Sequence, residues 1–586
     1  MSKLEIPNEL KYLKGLRYDP AMRMDYQNVL LEDVLPGLFY VTRLGRRRGK
    51  GQWGERTAKT VAESLAQDLK RFDGFNNNEG KRVLEEWLKA SVLRLIERGG
   101  SDKVMSIRPL HFMTYRVDLP SNWVHLRSVP EFVSAILHRN PSAEPLESTS
   151  DEPFALQSNK NIFLNTFGSG IVNDSAFFSN ADQDRYDDNH ELDIESLLTV
   201  RIAEQLATPQ EVTARGGGKG GAISGFEPLC PRQARFFRED FSLFLRGYSS
   251  GSVPVRVLGD YVLCLLALNL TTYVLCHFAA SNHLYNTGEW LDDRRSLDGD
   301  SLWKPDIYAD LTGGRVRKSR ELARQSYARH HGWMLQQLRT MIGFRLLEYY
   351  LRNATDINEI RDLPTLRGIN FLKTLALGRQ PSCTDVYATV QASARPVLTG
   401  LMKAQPDEQW PEEIAGIAED PSLPPFDRVV EILAVYQEDP AKNLLKFVNS
   451  CSRRNLESGL LAGRPGTSED NYYTVGIQML EALVQLLTLK PGDPPASRPL
   501  DIYEFLRLLR ERYGIWIDEP PPSLEQSFEA HEAAQANFTS LKEKLRQLGF
   551  FRAVTDARRM QRLKPRYSPA GDAGTKTRSA NHGPVA

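Results

Sequence analysis

Residues 257–280, VLGDYVLCLLALNLTTYVLCHFAA, are apolar nearly all the way round a helix, and no formal charge falls between Tyr261 and Ala280. The run is long enough to cross a bilayer. Asn269, Thr272 and Cys276 fall at i, i+3 and i+7 and trace one narrow polar stripe, with His277 beside it. No Lys/Arg cluster follows to orient a membrane span. The pattern predicts a helix buried at the centre of a large helical protein.

Helical spacing recurs along most of the chain. It predicts helices over 26–44, 55–72, 79–98, 130–138, 194–206 and 231–248. Beyond the central run it predicts 333–352, 365–377, 386–402, 426–437, 441–451 and 472–489. Residues 106–119, SIRPLHFMTYRVDL, make the best strand candidate, although Pro109 interrupts it. The expected fold class is therefore mainly α, multi-domain, with a small amount of β. Proline- and glycine-rich joints divide the chain. An N-terminal helical domain covers 1–139, and a linker-rich segment with acidic and Gly-rich loops covers 140–225. A central helical domain covers 226–490, a C-terminal module covers 499–567, and 568–586 is expected to be disordered. No fixed-period repeat supports a solenoid.

At 586 residues the chain is too long for one ordinary core. Lys+Arg equals Asp+Glu, so any polyanion must be held by local patches rather than by the overall field. Cys230, Cys264, Cys276, Cys383 and Cys451 are widely separated, odd in number and lack metal-ligand spacing. They fit a reducing cytoplasm, and the charged N-terminus has no h-region of a signal peptide.

Four stretches carry possible chemistry. In 43–56, RLGRRRGKGQWGER, Arg46, Arg47 and Arg48 stand among glycines and Trp53, which suits a phosphate chain with a stacked base, a plain solvated loop or a contact with an acidic partner. Residues 180–195 hold many carboxylates, among them Asp184 and Asp188, but do not fit a calcium loop. They read best as an acidic lead-in to a helix. The Gly-rich run at 216–221 has Gly220 where a phosphate loop needs a hydroxyl after Lys219, so it reads as a linker. In 296–333, Asp298, Asp300, Asp306 and Asp310 precede a basic helix bearing Arg317, Arg320 and Arg324 and ending in His330-His331. Read sharply, those acids and histidines suggest a metal-dependent phosphodiesterase. Read plainly, the arginines pair with acidic neighbours.

The C-terminal module is expected to hold three helices, the first capped by Asp501, the second opened near Ser523, and the third capped by Asn537. Lys542, Lys544, Arg546, Arg558, Arg559 and Arg562 make its end basic. Three helices and a ribbon-like end resemble a winged helix, whose third helix enters the major groove.

The tail LKEKLRQLGFFRAVTDARRMQRLKPRY, together with the arginine-rich 315–329 segment, resembles accessory subunits of bacterial multi-gene antiphage defence islands. The nearest likeness is to the seventh component of the methylation-associated defence system. That resemblance implies a cytoplasmic complex whose modification and ATP-driven steps belong to other polypeptides, such as a methyltransferase or an ATPase. It transfers no catalytic residue. The expected role is a non-enzymatic DNA-binding and scaffolding subunit without cofactor or metal and without a membrane. The expected DNA contacts are Arg46, Arg47, Arg48, Arg317, Arg320, Arg324, Lys542, Lys544, Arg546, Arg558, Arg559 and Arg562. The alternatives are a metal-dependent nuclease using Asp298, Asp300, Asp306 and His330 or His331, and a pure protein adaptor.

Overall fold

The computed structural model describes residues 18, 20–46, 56–98, 101–117, 126–138, 152–173, 183–206, 228–248, 252–290, 305–352, 354, 357–403, 412–436, 438–464, 470–550 and 562–572. Helices dominate these residues, and the strands form only two-stranded ladders. The elements that shape the site are α1 (Leu31–Leu44), β1 (Leu93–Arg98), β2 (Ser101–Ile107), α2 (Pro231–Gly247), α3 (Val255–Thr287), β3 (Ile307–Tyr308) and α4 (Arg317–Leu351). After them come β4 (Tyr472–Tyr473), α5 (Ile477–Leu487), β5 (Leu500–Asp501), α6 (Ile502–Tyr513), β6 (Ile515–Trp516), α7 (Phe528–Gln547) and β7 (Arg562–Leu563).

The central run is α3, which extends beyond the expected span to 33 residues. Pro254 precedes it, and Gly288, in the left-handed region at φ +72°, ends it. The helices α1, α2, α4, α5 and α6 all pack on it. Its most apolar window is 94% buried inside the protein. A helix enclosed in this way has no face left for lipid. Its polar stripe is satisfied locally or by neighbours. Thr272 donates to the Leu268 carbonyl, and Asn269 donates to the Leu265 carbonyl and to Asp240 of α2.

Most expected helices are found within a few residues; the one expected over 55–72 stops at Leu65, the one expected over 472–489 begins at Ile477 after a short strand, and four further readings need correction. The helix expected over 79–98 stops at Ser91, and Leu93–Arg98 turns into β1, paired antiparallel with β2. The best strand candidate is displaced: the strand is Ser101–Ile107, and Phe112–Arg116 forms a single 3-10 turn beyond Pro109. The basic helix and the one expected at 333–352 are one 35-residue helix, α4, running through Gly332. A glycine in a helix costs about 1 kcal/mol, which the buried flanks Tyr327, Met334 and Leu338 outweigh.

The fourth correction concerns the C-terminal module. Its expected second and third helices are one 20-residue helix, α7, capped by Ser527, whose hydroxyl accepts from the Ala530 N–H. Asn537 is not a cap but a buried residue mid-helix. It is in phase with Ala530, Ala534 and Leu541, on the face α7 turns inward. The described part of the module therefore holds two helices rather than three.

Most buried apolar residues from Tyr18 to Leu563 join one connected core, to which the segments 1–139, 140–225, 226–490 and 499–567 all contribute, while Tyr308, Leu322, Ala323, Ala530 and Ala534 form a second, small cluster where α4 meets α7. A polar bolt ties the segment 499–567 to the centre. Asp240 on α2 receives Arg512 at 2.6 Å, the Tyr513 hydroxyl at 2.8 Å and Asn269 at 3.2 Å. Burial pushes the Asp240 carboxyl up, while Arg512, Tyr513 and Asn269 pull it down.

Candidate nucleic-acid interface

The stretch from Pro305 to His331 is the frame on which the basic residues hang. Its start is a short strand, β3, paired parallel with β6, so that Ile307 lies opposite Ile515 and Tyr308 opposite Trp516. Asn537 of α7 clamps this layer: its amide donates to the Ala309 and Ile517 carbonyls and its oxygen accepts from the Leu311 N–H. Asp310 comes next, buried, with its own N–H given to the Tyr473 carbonyl. Gly313 and Gly314, at φ +66° and +85°, then reverse the chain so that the start of α4 returns to Asp310.

Asp310 accepts from Thr312 Oγ1 at 2.6 Å, Ser319 Oγ at 3.0 Å and Arg320 Nε at 2.7 Å. Arg320 also lies over Tyr472, with its guanidinium carbon 3.6 Å from the ring centroid. Its charge is neutralised and its guanidinium is covered on one side. Arg324 faces Asp470 at 3.5 Å, and Lys318 faces Glu525 at 2.7 Å. Arg317 is exposed, and no carboxylate pairs with it among the described residues.

The helix α7 lies against α4 here, so the two basic segments expected from sequence meet. Arg315, largely exposed, reaches only to 3.8 Å from Glu543, a surface pair worth well under about 1 kcal/mol. Burial lowers Lys544 below the ordinary lysine range, with Asp310 and Glu457 pulling it back up and Arg315 pushing it down. Lys544 therefore shares an electrostatic neighbourhood with the start of α4. Lys542 sits with its ammonium 4.5 Å from the centroid of Phe538. Arg546, one turn on, is exposed and unpaired among the described residues. Arg562, also exposed, is the partner of Asp501 in the β5–β7 ladder.

The remaining expected contacts divide as follows. Arg46 stands one residue past Gly45, the left-handed stop of α1, and is half-buried. Arg47, Arg48, Arg558 and Arg559 lie outside the described residues, as do the Gly-rich loop and Asp298 and Asp300. Two acids of the acidic stretch are held by arginines. Asp184 is buried against Arg43, at 2.6 Å, and the Tyr115 hydroxyl, while Asp188 holds Arg71 and Arg201.

The acids and histidine of the nuclease reading also have protein partners. Asp306 faces Arg329 and the Trp516 indole N–H. His330 is fully buried between the Pro305 carbonyl and the Tyr473 hydroxyl at 2.8 Å. A carbonyl only accepts, so Nε2–H donates to Pro305 and Nδ1 accepts from Tyr473. Burial, with Arg329 nearby, lowers this neutral imidazole to about 3. Among the described residues no three His, Cys, Asp or Glu side chains are grouped to hold a metal ion.

Sequence reasoning missed Asp240 and Tyr503 and gave Asn537 a different role, as a cap. Asn537 could have been found as a polar residue in phase with the apolar stripe of α7. Tyr503 is the converse, a large ring out of phase with Ile502, Phe505, Leu506 and Leu509, and it is 62% exposed.

The model of a protein family described as Methylation-associated defense system protein MAD7 matches residues 11–567. Comparison with curated proteins and with solved structures gave no match.

Proposed function

Because the chain belongs to the family of the methylation-associated defense system protein MAD7, we propose that it serves that system as a non-enzymatic, DNA-binding scaffold subunit. The observation that carries this reading is the meeting of two cationic segments far apart in sequence. Arg315, just before α4, lies beside Lys544 near the end of α7, and the same helix carries Lys542 and Arg546. A chain of zero net charge that concentrates unneutralised cations on one pair of helices offers a local site for phosphates. The rigid frame beneath it, built on Asp310, Asn537 and α3, is what a scaffold requires.

The DNA contacts on this reading are Arg315, Arg317, Lys542, Lys544, Arg546 and Arg562. Arg320 and Arg324 pair with Asp310 and Asp470 and support the surface instead of contacting the ligand. The complex works in the cytoplasm, and modification and ATP-driven steps come from partner subunits such as a methyltransferase or an ATPase. The nuclease alternative draws less support, because Asp306 and His330 already have partners that fix them in the frame.

Binding of labelled duplex DNA by the full chain, measured across a salt series, tests the proposal. Binding is expected to weaken steeply with salt. The triple variant Arg317→Glu, Lys542→Glu, Arg546→Glu is expected to lower affinity at least tenfold. Its salt slope is expected to flatten by about one unit for each phosphate that is no longer neutralised. Unchanged binding in that variant would remove this surface from the account.

A further inference from the structure

Beside the cationic stripe stands a large exposed ring. Tyr503, in the first turn of α6, is 62% exposed. Its ring centroid is 5.7 Å from that of Phe538 on α7, the two planes tilted by 48°. Phe538 is itself buried and carries the Lys542 ammonium 4.5 Å from its own centroid. Phe538, Lys542 and Arg546 follow one another at four-residue steps, so they lie along one face of α7. Tyr503 therefore begins a row of aromatic, cation, cation. Arg562 adds a cation at the base of α6, since it pairs with Asp501, two residues before Tyr503.

Among the described residues, two acids close by have partners. Asp501 accepts from the Tyr503 N–H as the cap of α6, and Glu504 is held by Arg498 at 2.9 Å. What remains toward solvent is one phenol ring, wedged from below by Phe538, with positive charge beside it.

An aromatic face among cations suits a nucleotide whose base is free to stack. In duplex DNA each base is already covered above and below, and a side chain outside the helix meets only phosphates and groove edges. In single-stranded DNA every base has an open face, and stacking on one aromatic residue is sequence-tolerant. We propose that Tyr503 is a stacking platform for an unpaired base, with Lys542, Arg546 and Arg562 holding the adjoining phosphates, so that this surface prefers single-stranded to duplex DNA. The inference rests on the DNA-binding reading given above and adds the form of DNA.

The test compares the full chain with Tyr503→Ala, Tyr503→Trp and Lys542→Glu, using fluorescence anisotropy of labelled oligothymidylate and of a blunt duplex of equal length. The wild type is expected to bind the single strand more tightly. Tyr503→Ala is expected to lower single-strand affinity about tenfold, within the range that removal of one stacking aromatic causes, with an unchanged salt slope and little effect on the duplex. Tyr503→Trp is expected to retain or raise it. Lys542→Glu is expected to weaken both forms and reduce the slope. The exposed position of Tyr503 makes a folding defect easy to separate, by circular dichroism of the same samples. If DNA is bound but Tyr503→Ala is indifferent, or affects both forms equally, the stacking role is overturned while the DNA-binding reading stands. If neither form is bound, both fall.

Discussion

Arg512 and Arg546 each lie near the end of a C-terminal helix, and their surroundings are opposite. Arg512, at the end of α6, reaches buried Asp240 at 2.6 Å and covers the Phe236 ring. Arg546, at the end of α7, is exposed, and no carboxylate pairs with it among the described residues. The same contrast recurs between Arg320, held by Asp310, and Arg317, three residues earlier and open to water. One set of cations joins parts of the fold, and the other is left available to a ligand. Local sequence does not distinguish them, because each partner carboxylate is set by packing: Asp240 comes from another helix, and Asp310 returns to Arg320 only through the Gly313-Gly314 turn.

The sharpest way to break that contrast is to remove a joining carboxylate. Asp240→Ala leaves Arg512 and the Tyr513 hydroxyl without their acceptor in the interior and is expected to cost about 3–5 kcal/mol. Urea unfolding would show it as a lowered midpoint. A change under about 1 kcal/mol would mean that the bolt between α2 and α6 is not a tie. Asn537→Leu comes next. It strands the Leu311 N–H and the Ala309 and Ile517 carbonyls, so a loss of about 2–3 kcal/mol is expected in the same measurement.

A smaller effect concerns His277, buried on α3 with neither ring nitrogen hydrogen-bonded among the described residues. Burial lowers it to about 3. The unfolded chain takes up a proton below about pH 6.5 that the folded chain refuses, so stability falls as the pH drops from there toward 3. The slope from this one group is about 1.4 kcal/mol per pH unit. His277→Leu is expected to remove that share of the acid sensitivity, measured as the change in unfolding midpoint between pH 7 and pH 5. His111 and His330, lowered to about 4 and about 3 by burial, add the same sign and keep the variant acid-sensitive overall. The smallest effect belongs to the open cations. Lys542→Ala and Arg546→Ala are expected to change stability by less than about 0.5 kcal/mol while weakening DNA binding. A large stability loss there would place them among the joining residues after all.

Much of the helical framework is legible in the chain because an apolar helix reports its own burial. The stripe Asn269, Thr272, Cys276 on an otherwise oily segment marks α3 as central, and Pro231 opening a phased run of phenylalanines marks α2. Legibility fails where one residue type has two uses. Asn537 suits a cap as well as an interior clamp, and only the unbroken packing of α7 on β3 and β6 decides for the clamp. His330-His331 next to several aspartates looks like chemistry until Pro305 and Tyr473 close on His330 from both sides.

The amino-acid sequence by itself determined the mainly helical class, the central buried helix and the list of basic stretches, because periodicity and composition are local properties. Only the tertiary structure decided which cations remain unneutralised and which of them share a surface. An ion pair or a shared patch depends on distance in space, and the fold alone brings Arg315 to Lys544, Arg320 to Asp310 and Tyr503 to Phe538.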